Sequence, residues 1–447
     1  MEIKHGSFIC IPSPAPPPTT QRVLATPVMP PPPTGVAPHS APSHLRECRD
    51  CGQFQIVPPL PPATRALCLR CDAVLRHTQH DPLRTPLALN LTALCLLLIA
   101  VPSTLMLVST AGQVHAADMF TGPVGLDEHG MWELAAVVLF TTVAAPAAKL
   151  GCMLYVLLGL RAARPPRHLR AVFAWVEHLR PWSMIEVYLL GVFVAYVKLQ
   201  VLVFIELGPA LYALGALLLA MIVADIKLDS QFIWEEMDRR GITRTTPVAP
   251  GRGVVGCDTC GLVCDAGDVR CPRCDYRLHH RKPNSIARTW ALGVAAAMLY
   301  LPANLYPVLT VVRLGAGQPS TILGGARELL DAGQWPLALL VFVASVAVPI
   351  LKLTGLAFLL TSVRMRQRGH LRDRTVLFRV IDFIGRWSMI DIFMASILVA
   401  LVQFGSLVTI NANVGAIAFA SVVILTMFAA RTFDPRLMWD AAGAKAP

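Results

Sequence analysis

The chain has 447 residues, 55% of them hydrophobic and only 15% charged, with a mean hydropathy of +0.56. That balance excludes an ordinary soluble globular protein of this size and indicates an integral membrane protein. The formal net charge of +11 does not imply nucleic acid in such a chain; the useful question is where the basic residues fall.

The opening residues, MEIKHGSFICIPSPAPPPTT, hold no apolar run of the signal-peptide kind, so no cleaved leader is expected. Runs such as PSPAPPP and PPPP make 1–45 a disordered, polyproline-like tail. A first cysteine module occupies 46–80, and 81–228 form a bundle with apolar segments near 87–110, 132–160, 182–205 and 208–225. A polar linker at 229–254 leads to a second cysteine module at 255–283. A second bundle over 284–432 has segments near 286–312, 335–363, 387–409 and 414–431, and 433–447 form a polar tail. Each apolar run is long enough to cross ~30 Å of hydrocarbon as helix. The expected fold is therefore all-α, with eight transmembrane helices.

The halves repeat. Trp132, Pro146 and Lys149 fall 203 residues before Trp335, Pro349 and Lys352. The tetrapeptide Trp182-Ser183-Met184-Ile185 falls 205 before Trp387-Ser388-Met389-Ile390, and Glu186 answers Asp391. LDSQFIWE (228–235) lies 205 before FDPRLMWD (433–440). The segment 161–181 carries five arginines and 364–386 seven, whereas 111–131 and 313–334 carry none and two. The arginine-rich side reads as cytoplasmic, which places both cysteine modules and both termini there. Four crossings per half give a parallel repeat, related by an axis along the membrane normal. Leu169, Val172, Phe173 and Val176, and again Leu377, Val380, Ile381 and Ile384, follow helical spacing and predict amphipathic helices in the headgroup layer.

Cys48, Cys51, Cys68 and Cys71 read C-x2-C-x16-C-x2-C, and Cys257, Cys260, Cys271 and Cys274 read C-x2-C-x10-C-x2-C. Thiolates two residues apart grip one face of a tetrahedral ion, and two such knuckles close the site. Gly52 and Gly261 suit the tight turn after each first knuckle. Reduced cytosolic thiols make disulfides the weaker reading. Four ligands leave no open position, so two structural Zn2+ sites are expected, although rubredoxin-like iron fits the same spacing. Cys95 and Cys152 read as small buried residues, and Cys10 and Cys264 carry no assigned role.

Lys149 and Lys352 lie deep in the second segment of each half, where a charge is costly unless paired or hydrated. Pro146 and Pro349, three residues earlier, should kink the helix and free a carbonyl. Glu186 and Asp391 stand one turn inside the next segment, near Ser183 and Ser388, within reach of a lysine stem. The arrangement fits a structural ion pair, or a polar centre on a substrate path. The halves differ: Lys198 is answered by Gln403, and LPANLYP (301–307), with Asn304 between two prolines, reads as a broken helix lining a cavity. The second half is thus the better candidate for a working cavity.

No P-loop, G-x-S-x-G or H-E-x-x-H occurs, and the histidines form no ligand-spaced cluster, so no enzyme activity is expected. The ribbons lack the interleaved aromatics of a nucleic-acid binder. From about 46 to 440, the doubled CxxC…CxxC modules, the two WSMI-[DE] starts, P-x-x-K, LPANLYP and FDPRLMWD together resemble the paraquat-inducible protein A family. The resemblance implies a Gram-negative inner-membrane protein that moves phospholipid and works with a periplasmic MCE-domain tunnel partner. It also implies that Lys352, Ser388 and Asp391 belong to a polar network, with proton coupling as a hypothesis. The rival reading is a membrane anchor or metal and redox sensor that uses the ribbons; a lipid-headgroup enzyme is less favoured.

Overall fold

The computed structural model describes residues 22–24, 26–27 and 45–443, apart from 111–112, 129, 201–203, 246–252, 314–315, 332 and 402–407. The first cysteine module is built from β3 (Leu45–Glu47), β4 (Phe54–Ile56), β5 (Arg65–Leu67) and β6 (Val74–His77). Two short strands of the proline-rich tail, β1 (Arg22–Leu24) and β2 (Thr26–Pro27), pair with β5 and β4. Proline content predicts an unstructured stretch there; instead it satisfies two strand edges. The rest of 1–44 lies outside the described residues.

The first half runs α1 (Arg84–Ala100), β7 (Met106–Thr110), β8 (Gln113–Ala117) and α2 (Thr121–Glu128). A continuous apolar helix, Trp132–Gly159, follows. It consists of α3 (Trp132–Leu139), a π-helical turn (Phe140–Ala144) and α4 (Ala145–Gly159). Then come α5 (Leu169–Leu179), α6 (Ile185–Leu199), β9 (Phe204–Leu207), α7 (Pro209–Lys227) and α8 (Ser230–Arg239). The second module contributes β10 (Val254–Gly256) and β11 (Val263–Asp265). The second half repeats the order as α9 (Ser285–Leu305), β12 (Leu309–Arg313), β13 (Ala316–Ser320) and α10 (Ile322–Asp331). It continues as α11 (Trp335–Phe342), a π turn (Val343–Ala347), α12 (Val348–Arg364), α13 (Leu371–Gly385) and α14 (Ile390–Leu401). It closes with β14 (Val408–Ala412), α15 (Val414–Thr432) and α16 (Arg436–Ala441).

The fold is mostly helical but not all-α. Each half carries a three-stranded antiparallel sheet, ordered β8-β7-β9 and β13-β12-β14. The apolar segments read from sequence as 87–110 and 286–312 leave the helix at Ala100 and Leu305 and continue as strand. The third segments do the same after Leu199 and Leu401. Hydropathy alone cannot separate these parts; the stretches MLVST, LTVVR and VTINA are rich in β-branched residues and pair edge to edge. Among the described residues, five helices are long and apolar enough to span a membrane: Trp132–Gly159, Pro209–Lys227, Ser285–Leu305, Trp335–Arg364 and Val414–Thr432. α1 is shorter, with 17 residues, and α6 and α14 have 15 and 12. Helix α9 is not broken at LPANLYP. It passes through Pro302 and ends at Leu305, and Asn304 caps its own helix by donating to the Tyr300 carbonyl at 2.9 Å.

The two halves share one apolar core. Helices α6 and α14 cross at its centre, where the rings of Tyr188 and Phe393 meet edge to face at 5.7 Å. At the arginine-rich end, α5 and α13 do form, but much of their apolar face is covered by protein. Leu169, Phe173 and Val176 pack with Trp234, and Ile381 packs with Leu356 and Phe433. The residues read as linker and tail are also structured: α8 and α16 are short helices that bury Trp234 and Trp439.

The cysteine modules are seated crosswise. The first precedes the first half in sequence, yet its cysteines cluster with Leu356, Leu360, Phe433 and Trp439 of the second. Arg379 donates to Asp50 at 2.7 Å and to the Cys71 carbonyl at 3.0 Å, and Arg70 lies 4.3 Å over the Trp439 ring. The second module clusters with Val156, Phe173, Trp234 and Met237 of the first half. Gln231 donates to the Cys260 carbonyl at 3.2 Å, and Arg273 pairs with Asp238. The modules also touch each other, through Arg49 on the Thr259 carbonyl and the Gly256 amide on Glu47.

Candidate functional site

Each cysteine module brings four buried sulfurs within 4.8 Å of one another: Cys48, Cys51, Cys68 and Cys71, and Cys257, Cys260, Cys271 and Cys274. Gly52 and Gly261 adopt φ of 72° and 71°, the left-handed geometry the knuckle turn requires. Between knuckles, Sγ–Sγ separations are 3.5 Å (Cys48 to Cys71) and 3.6 Å (Cys51 to Cys68) in the first set. In the second they are 3.5 Å for both Cys257 to Cys274 and Cys260 to Cys271. A tetrahedral ion with ~2.3 Å sulfur bonds sets an edge near ~3.8 Å, so both sets fit Zn2+ and are too open for disulfides. Bonding from Cys48 and Cys51 holds Cys68 below the usual thiol range, and bonding from Cys257 and Cys260 does the same for Cys271. Gln55 donates to Cys68 Sγ at 3.0 Å, and Arg379 reaches Cys71 Sγ at 3.5 Å. These outer groups orient the ligands and offset thiolate charge. Cys264 is buried 3.9 Å from Cys271 Sγ, outside the knuckles. Cys95 is exposed on α1 and Cys152 half-buried, against the expectation that both are buried.

The two membrane lysines are both buried but differently held. Lys352 Nζ donates to Ser388 Oγ at 3.1 Å, to Thr426 Oγ1 at 3.2 Å and to the Gly385 carbonyl at 3.2 Å. These use all three ammonium hydrogens on neutral acceptors. Lys149 Nζ instead pairs with Asp225 of α7 at 2.8 Å, and Arg180 stands 3.6 Å from the other oxygen of the same carboxylate. Ser183, the counterpart of Ser388, is buried with its hydroxyl unpartnered.

The prolines act through the π turns. In the first, Ala145 N bonds to the Phe140 carbonyl in the i to i+5 pattern. The next donor in that pattern would be residue 146, and Pro146 has none. The Thr141 carbonyl so released accepts the Met184 amide at 3.5 Å, which ties the WSM turn to the second helix. Val348 N bonds to the Val343 carbonyl just before Pro349, so the same turn recurs in the second half.

A cavity of about 1020 Å3 runs between α6 and α7, lined by Lys149, Arg180, Ser183, Glu186 and Asp225 at its arginine-rich end and otherwise mainly by apolar side chains. Arg180 and Asp225 also line a polar cavity of about 650 Å3 that reaches Asp258 and Arg436 under the cysteine modules. A pocket of about 70 Å3 near α10 and α14 lies at the sheet end. LPANLYP favours a cavity in the second half; the wide cavity described here belongs chiefly to the first, with Phe383 and Trp387 as contributions from the second.

A family model described as paraquat-inducible protein A matches the chain twice, over 83–238 and 286–443. The chain belongs to the paraquat-inducible protein A family. The double match also places the duplication in the bundles themselves, since neither match includes a cysteine module. Relatives span nearly the full chain. The intermembrane transport protein PqiA of Escherichia coli K12 is 33% identical over 408 residues, 90% of this chain and 97% of its own. The lipophilic envelope-spanning tunnel protein A of the same organism is 31% identical over 89% of this chain and 91% of its own. A probable intermembrane transport protein of Haemophilus influenzae is 26% identical over 90% and 97%. No solved structure matches. With five span-length apolar helices among its described residues, this family member is a multi-pass membrane protein.

The expected residues meet only in part. Lys352 and Ser388 come together as read, and Asp391 opens α14, although its side chain lies outside the described residues. Lys149, Glu186 and Ser183 line one cavity, but the partner of Lys149 is Asp225. Asn304 serves its own helix. Sequence reasoning missed Asp225, Arg180 and Thr426. A signal for Asp225 existed, since it is a lone acid in an apolar helix. Thr426 carried none, because buried threonines commonly satisfy their own helix.

Proposed function

We propose that this protein is the inner-membrane component of a lipid transport system that links two membranes. It would load phospholipid to, or unload it from, a periplasmic MCE-domain tunnel partner, and so serve envelope maintenance. In this reading both halves cross the membrane four times, and the cysteine modules and termini are cytoplasmic, on the arginine-rich side. The modules hold structural Zn2+, whose role is to close each ribbon and not to activate water. The chain is not an enzyme: its relatives are named as transport proteins, and no catalytic set is apparent in its sequence.

The observation that carries this reading is the fully bonded Lys352 buried in a family member whose relatives are named for intermembrane transport and a tunnel. A buried ammonium on neutral acceptors is costly to keep in a membrane. It marks a working centre, with Ser388 bonded to it and Asp391 three residues further along the chain. Lys352→Ala and Asp391→Asn should abolish rescue of an envelope defect while leaving the amount of protein in the membrane unchanged. Wild-type rescue by both variants would sink the reading. A sensor built on the ribbons would instead lose signalling in a still-folded Cys257→Ser protein.

A further inference from the structure

Polarity is segregated along the 1020 Å3 cavity between α6 and α7. Lys149, Arg180, Ser183, Glu186 and Asp225 stand together at the ribbon end. Beyond them the lining is Leu189, Leu190, Phe193, Leu211, Leu218 and Ile222, with Leu207 at the sheet end. Along α7 the groove extends from Leu211 to Asp225, a run of about 21 Å by helical rise. That is about half of the ~40–45 Å of a bilayer with its headgroups, the depth of a single leaflet. The volume is at the top of the ~300–1,000 Å3 of small-molecule pockets. Phe193 and Ile222 are exposed, so the groove is open along its apolar length.

Three features of the ribbon end indicate a ligand with both charges. Asp225 holds Lys149 at 2.8 Å, yet its side chain is 42% exposed and faces the groove. Arg180, itself partly exposed, lies within 3.6 Å of that carboxylate. Ser183 is 4% exposed and its hydroxyl has no partner, an arrangement that is costly unless something else supplies the bond. Two cations and two carboxylates at one end would leave a purely anionic headgroup facing acids.

We propose that this groove seats one aminophospholipid of the ribbon-side leaflet, its phosphate on Arg180 and the Ser183 hydroxyl, its ammonium toward Asp225 and Glu186, and its chains along α7. The proposal rests on the lipid-handling reading above and adds the place, the headgroup class and the leaflet.

The test uses the full chain in nanodiscs holding equal parts phosphatidylethanolamine, phosphatidylglycerol and phosphatidylcholine, with retained lipid counted by native mass spectrometry. The wild type should retain phosphatidylethanolamine at least fivefold over the others. Arg180→Gln, at a partly exposed turn residue, should lower retention of all three about tenfold, and Arg180→Lys should restore part of it. Asp225→Asn should keep lipid but bring the preference for the amine within twofold. Retention in the supplied proportions, or no change in either variant, would overturn the proposal. The two readings separate cleanly. If Lys352→Ala abolishes envelope rescue but the groove selects no lipid, only the groove falls; if the groove selects lipid and Lys352→Ala still rescues, only the transport reading falls.

Discussion

The two halves place a lysine at the same point and then treat it differently. Lys149 reaches a carboxylate at the edge of a wide groove, whereas Lys352 is closed in among hydroxyls and a carbonyl. The repeat explains how. At the offset of 205, Asp225 corresponds to Ala430 and Thr426 to Met221. One acid therefore draws the first lysine toward α7, and its absence leaves the second to Ser388 and Thr426. Ser183, which keeps the hydroxyl but loses the lysine, is the by-product. Duplication has preserved the scaffold and changed the chemistry by two side chains.

The largest effect should come from the cysteine modules, because they join the halves crosswise. Structural zinc is worth ~10–16 kcal/mol of apparent folding free energy in small fingers. Cys48→Ser with Cys51→Ser should therefore unravel the first module. Since that module sits on the second half, hydrogen exchange should rise in 371–385 and 436–441 more than in 169–179 and 230–239. Cys257→Ser with Cys260→Ser should give the reverse pattern. If exchange rises instead in the half adjoining each module in sequence, the crossed seating is wrong.

A middle-sized effect is expected from exchanging the two lysine environments. Hydrogen bonds to charged groups contribute ~1.5–3 kcal/mol, so a double-mutant cycle should find about that coupling between Lys352 and Ser388 and none between Lys149 and Ser183. The pair Met221→Thr and Asp225→Ala gives the first half the second half's residues. The 149–183 coupling should then appear. If it stays at zero, these two side chains do not account for the difference.

How far the sequence reached depends on the physical quantity each pattern measures. Offsets between identical residues exposed the duplication, and the cysteine spacing gave both four-sulfur sites without need of coordinates. Hydropathy located the apolar segments but not their change from helix to strand at Ala100 and Leu305, because an apolar strand and an apolar helix have the same mean hydropathy. Lys352 with Ser388 could be read because both lie in repeated motifs. Asp225 and Arg180 could not be placed with Lys149, since that contact joins α4, α7 and the turn before α6 across the bundle. The crossed modules were hidden for the same reason: connectivity suggests that each module sits on the bundle joined to its C-terminal end.

The smallest effect lies in the matched helix starts Asp229 and Asp434, the acids of LDSQFIWE and FDPRLMWD. Asp229 accepts the Phe232 amide at 3.0 Å, and burial pushes its carboxyl above the usual range. Asp434 is also buried, which alone would raise it. Its bonds from the Arg436 guanidinium at 3.0 and 3.1 Å, and from the Lys282 amide at 3.0 Å, outweigh that and hold it low. The signs are opposite. Stability from the depressed Asp434 is complete above the unfolded value near 3.8 and is lost as pH falls through its lower folded value. Stability linked to the raised Asp229 is complete below about 3.8 and is lost as pH rises through its folded value. Asp434→Asn should therefore cost ~1 kcal/mol or more at pH 7, through its charge-assisted bonds with Arg436, and progressively less below about pH 4. Asp229→Asn should be close to neutral at pH 7 and lose ground to the wild type as pH falls toward 4. Thermal unfolding of both variants across pH 3–7 measures this, and parallel pH profiles would show that the two repeats use their acids alike.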